Sequence, residues 1–286
     1  MKNTFIRFII LTGALCGMAL AHENQPEAAP ATQGDQWEFT LAPYLWMSGI
    51  QGKEGVVGAG PPVDIDLSFT DIAEIMDFGF MLSGELRKGK WAVVNDFLYL
   101  EVSGDATLTG PLRQLFTAKV ELAQETMTDT LAASYRCVDN ERVQLDMLAG
   151  VRMWYVDTSI DITVTDRPTR PQRPGILPPP LQPTLPTLPT IPDSVSSSDS
   201  DFWMDPVVGL KVAADLGANF SVMAGGFFGI GDSDEDWSLV AMLNYDVKEW
   251  FALLAGYRHM SVDYDNGGFV YDVEMSGPVL GAAFKF

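Results

Sequence analysis

The chain of 286 residues is poor in the side chains on which much protein chemistry depends. It has two cysteines and two histidines. Cys16 sits in an N-terminal apolar segment, so Cys137 is the single cysteine of the remaining chain and an internal disulfide is excluded. Basic residues are also scarce, 18 Lys and Arg against 38 Asp and Glu, for a formal net charge of −20. A field of that sign repels nucleic acid, whose binding rests on cations that neutralise phosphates. After residue 21 no apolar run approaches the ~20 residues a helical membrane span needs. No spacing of Cys, His, Asp and Glu specifies a metal site or a cofactor. Asp232-Ser-Asp-Glu-Asp236 has carboxylates at positions one, three and five of a calcium loop, but Trp237 and Leu243 replace the glycine and glutamate that loop requires. It reads as a solvated loop, as do Asp193, Asp199 and Asp201.

The N-terminus carries Lys2 and Arg7, an apolar run from Phe8 to Leu20, and the small-x-small triplet Ala19-Leu20-Ala21. This is the three-part form of a secretory signal peptide, expected over residues 1–21 and followed by a flexible periplasmic segment over 22–34.

From residue 35 to 286 the dominant period is two, in segments of nine to about twenty residues bounded by turn residues. Phe220, Val222, Ala224, Gly226 and Phe228 alternate with Ser221, Gly225 and Gly229, and Trp237, Leu239, Ala241, Leu243 and Tyr245 alternate with Ser238, Asn244 and Asp246. One face is apolar. The other is small or polar and carries charges of both signs: Glu38, Glu85, Asp96, Arg152, Lys211, Asp246 and Arg258. A soluble sandwich also alternates, but mixed charges on a Gly- and Ser-rich face suit a polar lumen, where they pair with one another. All seven tryptophans fall at or near segment ends, where a barrel meets the two membrane interfaces. Strict alternation turns Trp46 and Trp154 inward, so those two either sit at bulges or line the lumen.

The final segment places Leu280, Ala282, Phe284 and the terminal Phe286 at alternate positions. It resembles the closing strand of Gram-negative outer-membrane β-barrels, as do the opening strand from Trp37 to Gly52 and the hairpin from Tyr257 to Met275. The resemblance implies an all-β fold, a transmembrane antiparallel up-and-down barrel, in the cell outer membrane. Its partners would be outer-membrane lipids, lipopolysaccharide and the assembly machinery that reads the closing strand. Short turns alternate with longer acidic ones, and with both termini periplasmic the segments number about ten, with eight or twelve as alternatives. Residues 49–77 fall outside that ladder. They read as an external loop with a short helix, Asp71 and Glu74 in its first turn, folded into the lumen; the alternative pairs 63–69 as a further strand. Residues 166–200 read as an external loop rich in Pro and Ser. Ten of its residues are proline, and Pro183, Pro186, Pro189 and Pro192 keep the spacing of a polyproline II rod.

Three functions stand against one another. The first is a non-enzymatic barrel, structural or narrowly porin-like. The second is enzymatic: His259-x-Ser261 resembles the pair used by outer-membrane lipid A deacylases, which face lipid, with Glu274 on the neighbouring strand to orient the imidazole. Val262 stands where that family usually has Asn, and the alternative is an ordinary strand with His259 in an aromatic slot. The third is a surface adhesin acting through the proline segment. Oligomeric state is not legible in the sequence.

Overall fold

The computed structural model describes residues 36–56, 62–109, 117–166 and 194–286. The expected signal peptide, the 22–34 segment and the proline run lie outside the described residues. The elements are β1 (Trp37–Trp46), β2 (Gly49–Gly55), β3 (Val63–Leu67), α1 (Phe69–Ile75), β4 (Met76–Lys88), β5 (Trp91–Thr109), β6 (Thr117–Asp139), β7 (Val143–Asp166), β8 (Ser194–Gly217), β9 (Phe220–Gly229), β10 (Glu235–Lys248), β11 (Phe251–Asn266) and β12 (Phe269–Lys285). All ladders are antiparallel, and neighbours from β4 to β12 pair in chain order. β1 pairs with β4 on one side and β12 on the other, closing the sheet into a barrel. Closure removes the sheet edges below Met76 and lets a strand-built protein cross hydrocarbon.

The wall has ten staves. β1 and β2 are one of them, because Trp46 pairs with Val279 and Gly49 with Ser276, so the register along β12 neither gains nor loses a residue. The Met47 amide bridges the join by donating to the Pro278 carbonyl at 2.9 Å. β3 returns along β2, α1 follows, and β4 completes the descent beside β1. Residues 49–55, expected in a loop, are therefore wall, and so are 63–67, which follow the alternative reading of a further strand. The short helix forms, but it contacts β2, β3 and β5 and buries none of its residues, so it lies in the line of the wall and not inside the lumen. Its start is set by sequence: the Ser68 side chain accepts from the Asp71 amide, and the Asp71 carboxylate accepts from the Ser68 amide. Residues 194–200, also expected in a loop, belong to β8 and pair with β7 from Ser194 onward. Serines tolerate this because their outward positions meet water.

Short hairpins carry the glycines that tight turns require. Gly89 (φ 59°) turns β4 into β5, and Gly267 (φ 61°) with Gly268 (φ 111°) forms the two-residue connection between β11 and β12.

Alternation sorts the side chains into two environments. Met147, Met204, Val208, Leu210, Leu239, Leu253 and Leu280 face outward and are exposed, forming an apolar band. Along β7 it runs from Val143 to Tyr155 before giving way to Asp157, Ser159 and Asp161, a height of about 30 Å for a tilted strand, close to a hydrocarbon core. Trp37, Trp91 and Trp250 are exposed at its lower margin, where Trp91 meets Tyr135 and Trp250 meets Phe284. Trp46 and Trp154 turn inward without any bulge, to 3% and 0% exposure. Trp203, expected at an interface, also points inward at 1%, because β8 begins well before it and places it mid-strand.

Candidate functional site

The inward face builds two layers. In the upper one Trp203 stacks on Tyr264 (centroids 4.1 Å apart, 4° between planes) and on Trp154 (5.8 Å, 8°), with Tyr271 and Phe269 packed at an angle. Val156, Val262, Val273 and Met260 fill the spaces between the rings, and all four are buried. Such packing excludes water from the centre of the barrel.

Below the rings the lumen is charged and paired. Arg152 forms an ion pair with Asp236, and its other nitrogens donate to Thr130 Oγ1 (2.9 Å) and Ser238 Oγ (2.8 Å). Trp154 Nε1 donates to the second Asp236 oxygen at 2.9 Å, tying the ring layer to the ion pair. Arg258 reaches Asp96 at 2.7 Å, donates to the Tyr44 hydroxyl at 2.8 Å and lies 4.9 Å over the Trp46 ring. Tyr44 in turn donates to Asp96 at 2.8 Å. Nearer the end of the barrel that carries Trp37 and Phe286, Asp146 is held by Arg87 (2.7 Å), Arg136 (2.8 Å) and Lys211 (3.5 Å), while Glu85 accepts from Arg87 and Lys211. Asp246 pairs with Lys285 at 2.7 Å. Between these groups lies a cavity of about 450 Å³, lined by Thr40, Tyr44, Glu85, Asp146, Lys211 and Asn244 among others.

Six of the seven lumen charges singled out from the sequence enter these pairs. Glu38 does not: it is exposed at the start of β1 and has no ion pair among the described residues. The sequence reading missed Asp236, which it left in a solvated loop. β10 begins at Glu235, so Asp236 is the first inward position of that strand and is fully buried. Ser233 of the same loop is buried as well, donating to Asp205 through its amide (2.9 Å) and hydroxyl (2.6 Å). Arg87, Arg136 and Asp146 were also outside the chosen set, although each has the parity of a lumen position. Asp201 is not free: it accepts from Tyr264 and Asn266 at 2.9 and 2.8 Å.

His259, Ser261 and Glu274 lie together on the outer surface. Ser261 is directly across from Glu274 in the β11–β12 ladder, and His259 precedes Ser261 by two residues on the same face. They stand at the upper margin of the apolar band, above Tyr257. The imidazole packs on Trp237, centroids 4.6 Å apart, and no hydrogen bond joins the three among the described residues. The relay a nucleophilic serine needs is not assembled. Among the described residues no group of three or more His, Cys, Asp or Glu could hold a metal ion.

The closing strand is positioned by pairing. Phe286 exchanges two backbone hydrogen bonds with Phe39, at 3.2 and 2.8 Å, and their rings stack at 5.9 Å. Leu280 and Phe286 are exposed on the outer face, and Phe284 packs on Phe251 and Trp250.

No protein-family model and no curated protein matches the chain. Its structure is similar to that of the outer membrane protease OmpT from Escherichia coli, at 9% sequence identity and a TM-score of 0.52, over 90% of this chain and 99% of that one. It also matches the translocator domain of the autotransporter NalP from Neisseria meningitidis (9% identity, TM-score 0.42, 99% and 95% covered) and the attachment invasion locus protein Ail of Yersinia pestis (13%, 0.36, 88% and 99%). At these identities the likeness concerns the fold alone, which is that of a Gram-negative outer-membrane β-barrel.

Proposed function

We propose that the chain is a non-enzymatic outer-membrane barrel with a structural role, its lumen held shut and not serving as a diffusion pore. The Arg152–Asp236 pair beneath the Trp154, Trp203 and Tyr264 stack carries this reading. A water-filled path would wet those rings, yet Trp154 is fully buried and Trp203 nearly so. Beneath them Asp236 accepts from both Arg152 and Trp154 Nε1, while Trp203 Nε1 has no hydrogen-bond partner among the described residues. The proposed surroundings are outer-membrane lipid and lipopolysaccharide against the apolar band, with the assembly machinery engaging Leu280, Ala282, Phe284 and Phe286. In planar bilayers the purified barrel should show no conductance steps, whereas Trp154→Ala with Trp203→Ala should conduct. Steady conductance by the unaltered protein would overturn the structural reading in favour of a narrow pore.

A second reading, a lipid A hydrolase, is favoured by one observation: His259, Ser261 and Glu274 share an outward face at the level where lipid headgroups begin. Mass spectra of lipid A from cells with and without the protein decide it. A deacylated species that disappears in Ser261→Ala would make the chain an enzyme. The adhesin reading concerns the proline segment, which lies outside the described residues.

A further inference from the structure

Two polar side chains interrupt the lipid-facing wall. Asn95 on β5 and Asp129 on β6 both stand at outward register positions, Asn95 half-buried and Asp129 recessed to 7% exposure: Asn95 is in register with Gly84 and Leu131, and Asp129 with Phe97 and Met153. Asn95 Nδ2 donates to Asp129 Oδ1 at 2.6 Å, with a longer 3.4 Å approach to the Thr130 carbonyl. They lie within the apolar band, between Tyr135 of the lower aromatic margin and Tyr99 at the upper one. Elsewhere in that stretch, outward positions are apolar or small, as in Leu239, Ala241 and Leu243 on β10 or Leu253 and Ala255 on β11. The pair is therefore the polar exception of the band among the described residues. Neither the lumen network nor the closing strand uses it.

Hydrocarbon offers no partner to the polar atoms this pair leaves over. Asn95 Oδ1 and the second oxygen of Asp129 receive no hydrogen bond among the described residues. A polar residue kept at such a depth marks a place where something else supplies the bond. An amide beside a carboxylic acid is self-complementary, because the acid O–H of one copy can donate to the amide oxygen of another. Barrels inserted in one orientation bring like faces together by rotation about the membrane normal, which is the isologous arrangement. Close approach is also provided for. Gly84 is directly beside Asn95, and Ala133 and Ala149 lie side by side in the row below, next to Val93, so the surface is low on those two sides of the pair. Phe97, Leu131 and Met153 surround it with apolar contact area.

We infer that the outer wall around Asn95 and Asp129 is the contact between two copies of this chain, which associate in the membrane through reciprocal amide–acid hydrogen bonds. The occupant is a second copy and not lipid, because acyl chains satisfy neither group. The inference is independent of whether the lumen conducts.

Two measurements test it. In mild detergent the full-length protein should sediment at twice the mass of one chain, and Asn95→Leu with Asp129→Leu at the mass of one, while still migrating faster unheated than boiled. Should that double variant fail to fold, oxidative crosslinking in native membranes decides instead. Leu131→Cys in a Cys137→Ser background should give a disulfide-linked species of twice the chain mass, and Leu243→Cys on the opposite wall should not. A single-chain mass for the unaltered protein together with no product at position 131 overturns the inference. So does a dimer indifferent to the double substitution, equal crosslinking at both positions, or a product joining position 131 to a different protein.

Discussion

Arg152 on β7 and Asp236 on β10 are 84 residues apart and meet across the lumen, with two strands of wall between them and Trp154 bonded to the same carboxylate. The contact joins β7 to β10, three staves apart, through the interior and independently of the ladder. Both groups are buried, so neither can be removed without leaving its partner unpaired in a dry setting.

Arg152→Leu should therefore destabilise the folded barrel by roughly 3–5 kcal/mol. Adding Asp236→Asn, which removes the stranded charge but keeps an acceptor for Trp154, should restore most of the loss. Urea titrations in detergent, read by the heat-modifiable band, measure both. An Arg152→Leu protein of unchanged stability would mean that water reaches Asp236.

The cap of α1 should be sensitive to acid. The Ser68 hydroxyl, and then its backbone amide, donate to Asp71 at 2.6 and 2.8 Å and hold that carboxyl below its ordinary value. A depressed carboxyl contributes fully above the ordinary carboxylate range, and its contribution fades as pH falls through its own lower value. Amide exchange of residues 69–75, corrected for intrinsic rate, should accelerate in that acidic window. Ser68→Ala should accelerate it roughly fivefold at neutral pH and flatten the pH dependence.

Deleting Phe286 removes two backbone hydrogen bonds to Phe39 as well as the ring contact, whereas Phe286→Ala removes the ring alone. Surface labelling of intact cells should fall in the order unaltered protein, Phe286→Ala, deletion. Equal labelling of the two altered forms would mean that recognition of the ring, and not barrel closure, limits assembly.

Ser194 to Ser200 pair with β7 and extend β8 beyond the apolar band. Their exchange should show protection at alternating amides, those directed at β7, in place of the uniform fast exchange of a loop. Uniform exchange would return this stretch to the loop the sequence suggests.

Period two made most of this architecture legible, because one strand position decides the environment of every other on the same stave. Arg152, Lys211 and Arg258 were placed inward on parity alone, and ten staves followed from the turns. Parity fails where a segment's starting point is ambiguous. Asp236 looked like loop because four polar residues precede it, and Trp203 looked terminal because the Ser-rich run before it has no apolar face to betray a strand. A run of serines above the membrane line meets water on its outer side and needs no alternation to be stable as sheet. Residues 49–77 escaped for another reason. Their helix interrupts a stave, so that 63–67 and 76–88 share one descent without sharing a continuous pattern. Which cation meets which anion was not legible at all, since that depends on reach across the lumen.

The interruption by α1 has a mechanical consequence. A closed cylinder under lateral pressure from the bilayer carries the load as hoop stress, passed from stave to stave through ladder hydrogen bonds. Below Met76 the ring from β4 to β5 is continuous, but above it no ladder joins β3 to β5 among the described residues, and α1 bridges the two with side-chain contacts such as Ile75 against Gly104. Side-chain contacts yield at smaller displacements than a ladder does. When the bilayer thickens or is stretched, the rim should widen first at that bridge, while the paired charges below hold the remaining circumference fixed.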